Sequence, residues 1–269
     1  MLKDQVTMPN QSNHRIRFLW ITVVFLLAFS ACTPQQAPQP EIKPTISLEP
    51  CQLSAPGQVT RKEAKCGTLT VYENREAGSG RQIDLRIAVI PSISRNPAPD
   101  PLFFLTGGPG QAATESFPVM ASAFERIQQK RDIVLVDQRG TGQSNPLKCP
   151  VLDEDLENQA DDAYMDFLNT CLESLDADPR LYTTWIAMQD LDQVREALGY
   201  QQINLYGVSY GTRAVLTYLK QYPDRVRSVI LDGVVPQDEV LGIDVGRDAQ
   251  RALDMIFARC AADQACNQA

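Results

Sequence analysis

From Cys66 onward the chain alternates two hydrophobic patterns. Short runs that are apolar throughout, or apolar at every second position, are separated by stretches whose apolar residues recur at helical spacing. That alternation is the signature of a sheet layered with helices, an α/β architecture. Strands are predicted at Cys66–Tyr72, Ile83–Ile90, Leu102–Leu105, Asp132–Val136, Gln202–Tyr206 and Val226–Leu231. The first two flank the glycine-containing turn Glu76–Arg81 and predict an antiparallel hairpin. The last four are short, continuously apolar and separated by helical segments, as buried parallel strands are. Helices are predicted at Glu115–Gln129, Thr184–Leu198, Tyr210–Tyr222 and Ala249–Ala262. The second of these carries Ile186, Leu191, Val194 and Leu198 on one face and meets Gly199 as its stop. Residues 149–182 are polar and acidic, and read as a helical excursion over the sheet.

The N-terminal pattern is different. His14, Arg15 and Arg17 precede an apolar run from Phe18 to Ala31 that is short for a bilayer span but suits the core of a signal peptide. Residues 1–31 are therefore expected to direct export. The run closes on Phe29-Ser30-Ala31-Cys32, which resembles a bacterial lipobox with Phe29 where Leu is usual. Cys32 is the expected lipidation site, anchoring the protein to a membrane of the bacterial cell envelope; the alternative is ordinary cleavage and a soluble periplasmic or secreted product. Residues 32–50, rich in Pro and Gln, suit an extended tether.

Charge narrows the partners. Removing residues 1–31 takes away Lys3, Arg15, Arg17 and Asp4, leaving 22 basic and 32 acidic residues. An excess of that sign excludes nucleic acid as an expected partner. Beyond Cys32 stand Cys51, Cys66, Cys149, Cys171, Cys260 and Cys266, an even number in a chain expected to be exported, which points to disulfides. Proximity in sequence proposes Cys51 with Cys66, Cys149 with Cys171, and Cys260 with Cys266. Zinc is the competing use of cysteine, but no pair has the usual ligand spacing and the single histidine, His14, lies in the signal region, so no metal site is expected.

Chemistry concentrates in three glycine-rich segments. Gly207-Val208-Ser209-Tyr210-Gly211 leaves the strand Ile203-Asn204-Leu205-Tyr206 and opens the next predicted helix, the context of a nucleophile elbow. Glycines flank the serine there because side chains would collide with the neighbouring strand and helix. Ser209 is the candidate nucleophile, set at a helix N-terminus where free N–H groups stabilise negative charge. The second segment, Thr106-Gly107-Gly108-Pro109-Gly110, follows the strand Leu102–Leu105, where hydrolases of this kind place the other half of an oxyanion hole. The expected donors are the N–H groups of Gly108 and Tyr210. Gly107–Ala112 fits neither phosphate-binding glycine pattern, and no cofactor is expected. The third segment, Asp137-Gln138-Arg139-Gly140-Thr141-Gly142-Gln143-Ser144, leaves the strand Ile133–Val136, and a charge-assisted hydrogen bond of Asp137 and Arg139 is expected to pin that loop beside the site.

Together, Leu105-Thr106-Gly107-Gly108-Pro109-Gly110, the Asp137–Ser144 segment and Gly207-Val208-Ser209-Tyr210-Gly211-Thr212 resemble, in order and spacing, the proline iminopeptidase and tripeptidyl aminopeptidase group of α/β-hydrolases. Asp190-Leu191-Asp192 with Val194-Arg195, and Leu231-Asp232-Gly233-Val234, add to the resemblance, which covers roughly Cys66 to Cys266. It implies an α/β-hydrolase fold, a mostly parallel sheet with helices on both faces, and a serine aminopeptidase releasing N-terminal residues from peptides. Thr106 stands where the iminopeptidases often carry His, which leans toward the tripeptidyl aminopeptidase side. An esterase, or a catalytically silent peptide-binding lipoprotein, are the alternatives. Serine chemistry needs a base, and in this fold the order is Ser, acid, His. Since no histidine follows Ser209, residues 51–269 are expected to be a partial domain ending within the start of a lid at 244–269, inactive alone. Asp232, at a strand end, is a lesser candidate for the acid and reads first as part of a turn.

Overall fold

The computed structural model describes residues 45–149, 161–240 and 242–268, all within the unit Lys43–Ala269. The expected signal segment and Cys32 lie outside the described residues. Among those described, seven strands form one sheet in the order β1-β2-β3-β5-β4-β6-β7. These are β1 (Glu49–Leu53), β2 (Lys62–Tyr72), β3 (Gln82–Ile90), β4 (Leu102–Leu105), β5 (Ile133–Val136), β6 (Ile203–Val208) and β7 (Val226–Asp232). The strands β5, β4, β6 and β7 pair in parallel, whereas β1–β2, β2–β3 and β3–β5 pair antiparallel. β2 therefore points the same way as the parallel four, and the mixed sheet is mostly parallel in direction.

The helices are α1 (Ala113–Met120), α2 (Glu125–Gln128), α3 (Asp161–Ser174), α4 (Thr184–Ala197), α5 (Tyr210–Gln221), α6 (Ile243–Ala262) and α7 (Gln264–Asn267). They cover both faces because successive side chains of a strand point to opposite sides. Phe103, Leu105, Val134 and Val136 join Met188, Leu191 and Val194 of α4 and Val215 and Tyr218 of α5 in one core. Leu102, Phe104, Ile133 and Leu135 join Ala113 and Phe117 of α1 in the other. Phe104 lies edge-on to Phe117 and Phe124 and stacks on Tyr206, with centroids 5.3, 5.6 and 5.6 Å apart. Each fully buried Phe contributes about 1.5–3 kcal/mol in transfer from water, so these rings anchor the ends of β4 and β6 that carry the glycine-rich turns.

Several expectations need correction. The tether was expected to run through Pro50, but Glu49 and Pro50 already belong to β1. Only Leu53 of that strand is buried, and β1 is held by its pairing with β2 and by the Cys51–Cys66 disulfide instead of by a hydrophobic pattern of its own. β2 begins at Lys62, four residues before the expected start, for the same reason. The single helix expected at Glu115–Gln129 is broken into α1, a 3₁₀ turn at Ala121–Phe124 and α2. Pro118 lies inside α1 and has no N–H to give the helical ladder. The helix expected from Ala249 starts at Ile243, and no residue of α6 is buried. Cys149–Cys171 and Cys260–Cys266 form the other two disulfides.

Candidate active site

Ser209 links β6 directly to α5. Its φ of 55° and ψ of −122° lie in a region that a residue with a side chain seldom occupies. The backbone is held there from two sides. Ser209 N–H donates to the Asp232 carbonyl at the end of β7 (2.8 Å). The Ser209 carbonyl accepts from Thr212 N–H (2.9 Å) and Thr212 Oγ1 (2.7 Å). The serine side chain faces outward, on an exposed residue, and its hydroxyl has no hydrogen-bond partner among the described residues.

The flanking glycines are demanded by close approach. A β-carbon on Gly207 would overlap the Gly211 carbonyl and stand 2.8 Å from Val215 Cγ2. One on Gly211 would overlap the Leu105 carbonyl and stand 2.8 Å from the Thr106 carbonyl. Backbone atoms of β4 have no freedom to yield, so the start of α5 presses against the end of β4 only if position 211 lacks a side chain. This contact brings the Gly-Gly-Pro-Gly turn to the serine. A β-carbon on Gly107 would lie 3.1 Å from Ser209 Cβ and 3.7 Å from Ser209 Oγ. Gly108, the next residue, has a φ of +107°. The two expected oxyanion donors thus sit on the two segments that meet at Ser209: Gly108 beside Gly107, and Tyr210 at the first position of α5, where helical N–H groups are unpaired.

The Asp137–Ser144 loop is pinned differently from the expectation. Asp137 and Arg139 do not bond to each other. Asp137, fully buried, accepts from Thr114 N–H and Oγ1 (2.9 Å each) and from Gln143 N–H (3.3 Å). Burial pushes its carboxyl above the ordinary range, against the pull of those hydrogen bonds. Arg139 turns the other way, toward α4. Its Nε and Nη2 donate to Asp190 (2.6 and 2.9 Å), and its Nη1 donates to the carbonyls of Glu73 (2.7 Å) and Leu181 (2.9 Å). Arg75 adds a second guanidinium on Asp190 at 2.8 Å. The two charged side chains of one motif thus find separate partners, Thr114 for Asp137 and Asp190 for Arg139.

Sequence reasoning did not assign a role to Asp190, Tyr182 or Thr184. The signal for Asp190 was its place among Ala187, Met188, Leu191 and Val194, the buried stripe of α4: a carboxylate on an apolar face requires a partner. Tyr182 donates to Glu73 Oε1 (2.9 Å) and accepts from Asn145 Nδ2 (2.6 Å), and burial, with Glu73 beside it, raises its pKa to about 12. Thr184 Oγ1 pairs with Tyr210 OH at 2.7 Å, tying α4 to the residue after Ser209. Between these groups and Gly107 lies a cavity of about 150 Å³. Asp232 stands at the end of β7, with its carboxylate accepting from Tyr206 OH. Burial and that carboxylate together raise Tyr206 to about 12. Among the described residues no His, Cys, Asp and Glu cluster could hold a metal ion, and no helix is long and apolar enough to cross a membrane.

Known proteins are similar to this chain in sequence. Serine protease Hip1 of Mycobacterium tuberculosis is 26% identical over 248 residues, covering 85% of this chain and 47% of that protein. Tripeptidyl aminopeptidase of Streptomyces lividans is 29% identical over 193 residues, covering 65% of this chain and 36% of that protein. Proline iminopeptidase of Neisseria gonorrhoeae is 31% identical over 141 residues, covering 52% of this chain and 34% of that protein. The chain thus spans half the length or less of these curated relatives. The family model described as alpha/beta hydrolase fold matches residues 100–259, from the start of β4 through both glycine-rich turns to α6, and the chain belongs to that family.

Proposed function

We propose that the protein is an exported serine peptidase that releases N-terminal residues from peptides by acyl transfer through Ser209. One observation carries the reading: an exposed, unpartnered serine held at φ 55° between β6 and α5, with the Gly107 backbone against it. Ser209 Oγ attacks the scissile carbonyl carbon, the carbonyl π pair moves to oxygen, and the N–H groups of Gly108 and Tyr210 receive the oxyanion. Peptidases among the relatives support an amide substrate over an ester.

The proton of Ser209 needs an acceptor. The only histidine in the sequence is His14, and we assign the imidazole and its carboxylate partner to polypeptide outside these 269 residues. Loss of a triad member costs about 10⁴-fold to 10⁶-fold in rate, so the 269-residue chain alone should be almost inert. Protein that includes those partners should release N-terminal residues from peptide amides, and Ser209→Ala should abolish the release. Hydrolysis of esters without peptide amides would favour the esterase reading; peptide turnover that survives Ser209→Ala would refute the nucleophile. Export and anchoring through Cys32 complete the proposal. Cys32→Ala should release the protein from the membrane fraction, and unchanged association would overturn the anchor.

A further inference from the structure

We infer that the cavity beside Ser209 is a side-chain subsite for a small, uncharged, hydrogen-bonding residue of the peptide, with Gln138 and Gln111 as its reading groups. The inference rests on the proposed peptidase function and deepens it. The cavity is bounded on one side by Gly107 and Tyr210, the two residues that border Ser209, so a peptide whose carbonyl lies at the serine reaches it with an adjacent side chain.

Its size admits and its electrostatics select. A volume of about 150 Å³, open to solvent on the side of the exposed Gln111, compares with a cavity that holds one benzene-sized group and has room for a carboxamide or hydroxyl side chain. Among the described residues the only charged side chain in the lining is Arg139, and its donors are taken by Asp190 and by the carbonyls of Glu73 and Leu181. A charged ligand would enter without a counter-ion and lose part of its hydration, which disfavours it. Tyr182 OH is likewise occupied, by Glu73 and Asn145, and Thr184 and Tyr210 are bonded to each other.

What remains open is amide chemistry. Gln111 uses its Oε1 to accept from Thr106 Oγ1 (3.2 Å), leaving its NH₂ free. The half-buried Gln138 side chain has no hydrogen-bond partner among the described residues, so it offers both an acceptor and donors. An apolar ligand would cover the half-buried Gln138 amide without pairing it; a ligand carboxamide or hydroxyl satisfies it, and the exposed Gln111 adds a donor at the rim.

The test is binding, separate from turnover. Calorimetry on the 269-residue chain carrying Ser209→Ala would compare tripeptide amides that differ in one side chain: Gln, Leu, Glu and Lys. The Gln peptide should bind at least about ten-fold more tightly than the others. Gln138→Leu should remove the preference for Gln over Leu, and Gln138→Lys should raise affinity for the Glu peptide about ten-fold by supplying the missing counter-ion. Gln111→Leu, at an exposed position, repeats the first comparison should a Gln138 variant lose its thermal transition. Equal affinities, no binding of any peptide, or selectivity unmoved by every variant that folds would overturn the subsite. Selective binding with no Ser209-dependent turnover in protein supplying the base would instead overturn the nucleophile and leave the subsite standing.

Discussion

Asp190→Ala should be among the most damaging substitutions outside the apolar core. The side chains of Arg139 and Asp190 are 0% and 3% exposed, with N–O separations of 2.6 and 2.9 Å. Truncating the carboxylate strands a guanidinium that water cannot reach, and removing one partner of such a pair costs about 3–5 kcal/mol. In Arg139→Met, Asp190 keeps Arg75 at 2.8 Å, and the loss comes mainly from the carbonyls of Glu73 and Leu181 left without a donor, about 1–3 kcal/mol each where buried, a loss comparable to that of Asp190→Ala. The double variant Arg139→Met with Asp190→Ala should therefore lose less than the sum of the two single losses, by up to about 3 kcal/mol. Urea unfolding of the 269-residue chain followed by circular dichroism reads these differences as midpoint shifts at constant slope. The consequence reaches the site, because Arg139 fastens the loop that carries Gln138 to α4 and to Leu181. An Asp190→Ala variant within about 1 kcal/mol of the parent, or strictly additive losses in the cycle, would refute the reasoning.

Gly211→Ala should destabilise the fold by about 1–3 kcal/mol or more, because its new methyl meets the Leu105 and Thr106 carbonyls; a thermal melt checks it, with no loss and a gain of up to about 1 kcal/mol expected for Gly246→Ala, inside α6 with nothing within 4 Å. Removing the Cys51–Cys66 disulfide by paired Ala substitutions should cost about 3 kcal/mol for its sequence separation of 15, read by urea unfolding with the other two bridges intact. Tyr182 has a folded pKa raised from 10.0 to about 12, so its contribution is complete below pH 10 and is lost as pH rises through about 12. Alkaline unfolding curves should be shallower across that window in Tyr182→Phe, and a slope identical to the parent would count against the Glu73–Tyr182 hydrogen bond.

Much of this architecture is legible from local pattern. β4 and β5 are apolar at every position, which only a strand buried on both faces tolerates, and Gly-x-Ser-x-Gly between an apolar run and a helical one already places a sharp turn at Ser209. Glycine at 207 and 211 is a local mark of a close approach, although the sequence does not say what approaches. β1 was invisible because its stability comes from β2 and a disulfide, and the apolar spacing of Glu115–Gln129 ran on past the 3₁₀ turn at Ala121–Phe124 that divides it. Only tertiary structure decided the partners of Asp137 and Arg139, since two charges on one loop read as a pair until the positions of Thr114 and Asp190, in helices distant along the chain, are known. The cavity beside Ser209 has the same origin. Gly107 with Gln111, Gln138, Thr184 and Tyr210 come from four separate segments, and sequence periodicity reports how each element meets the core, not which side chains from different elements converge across a few ångströms.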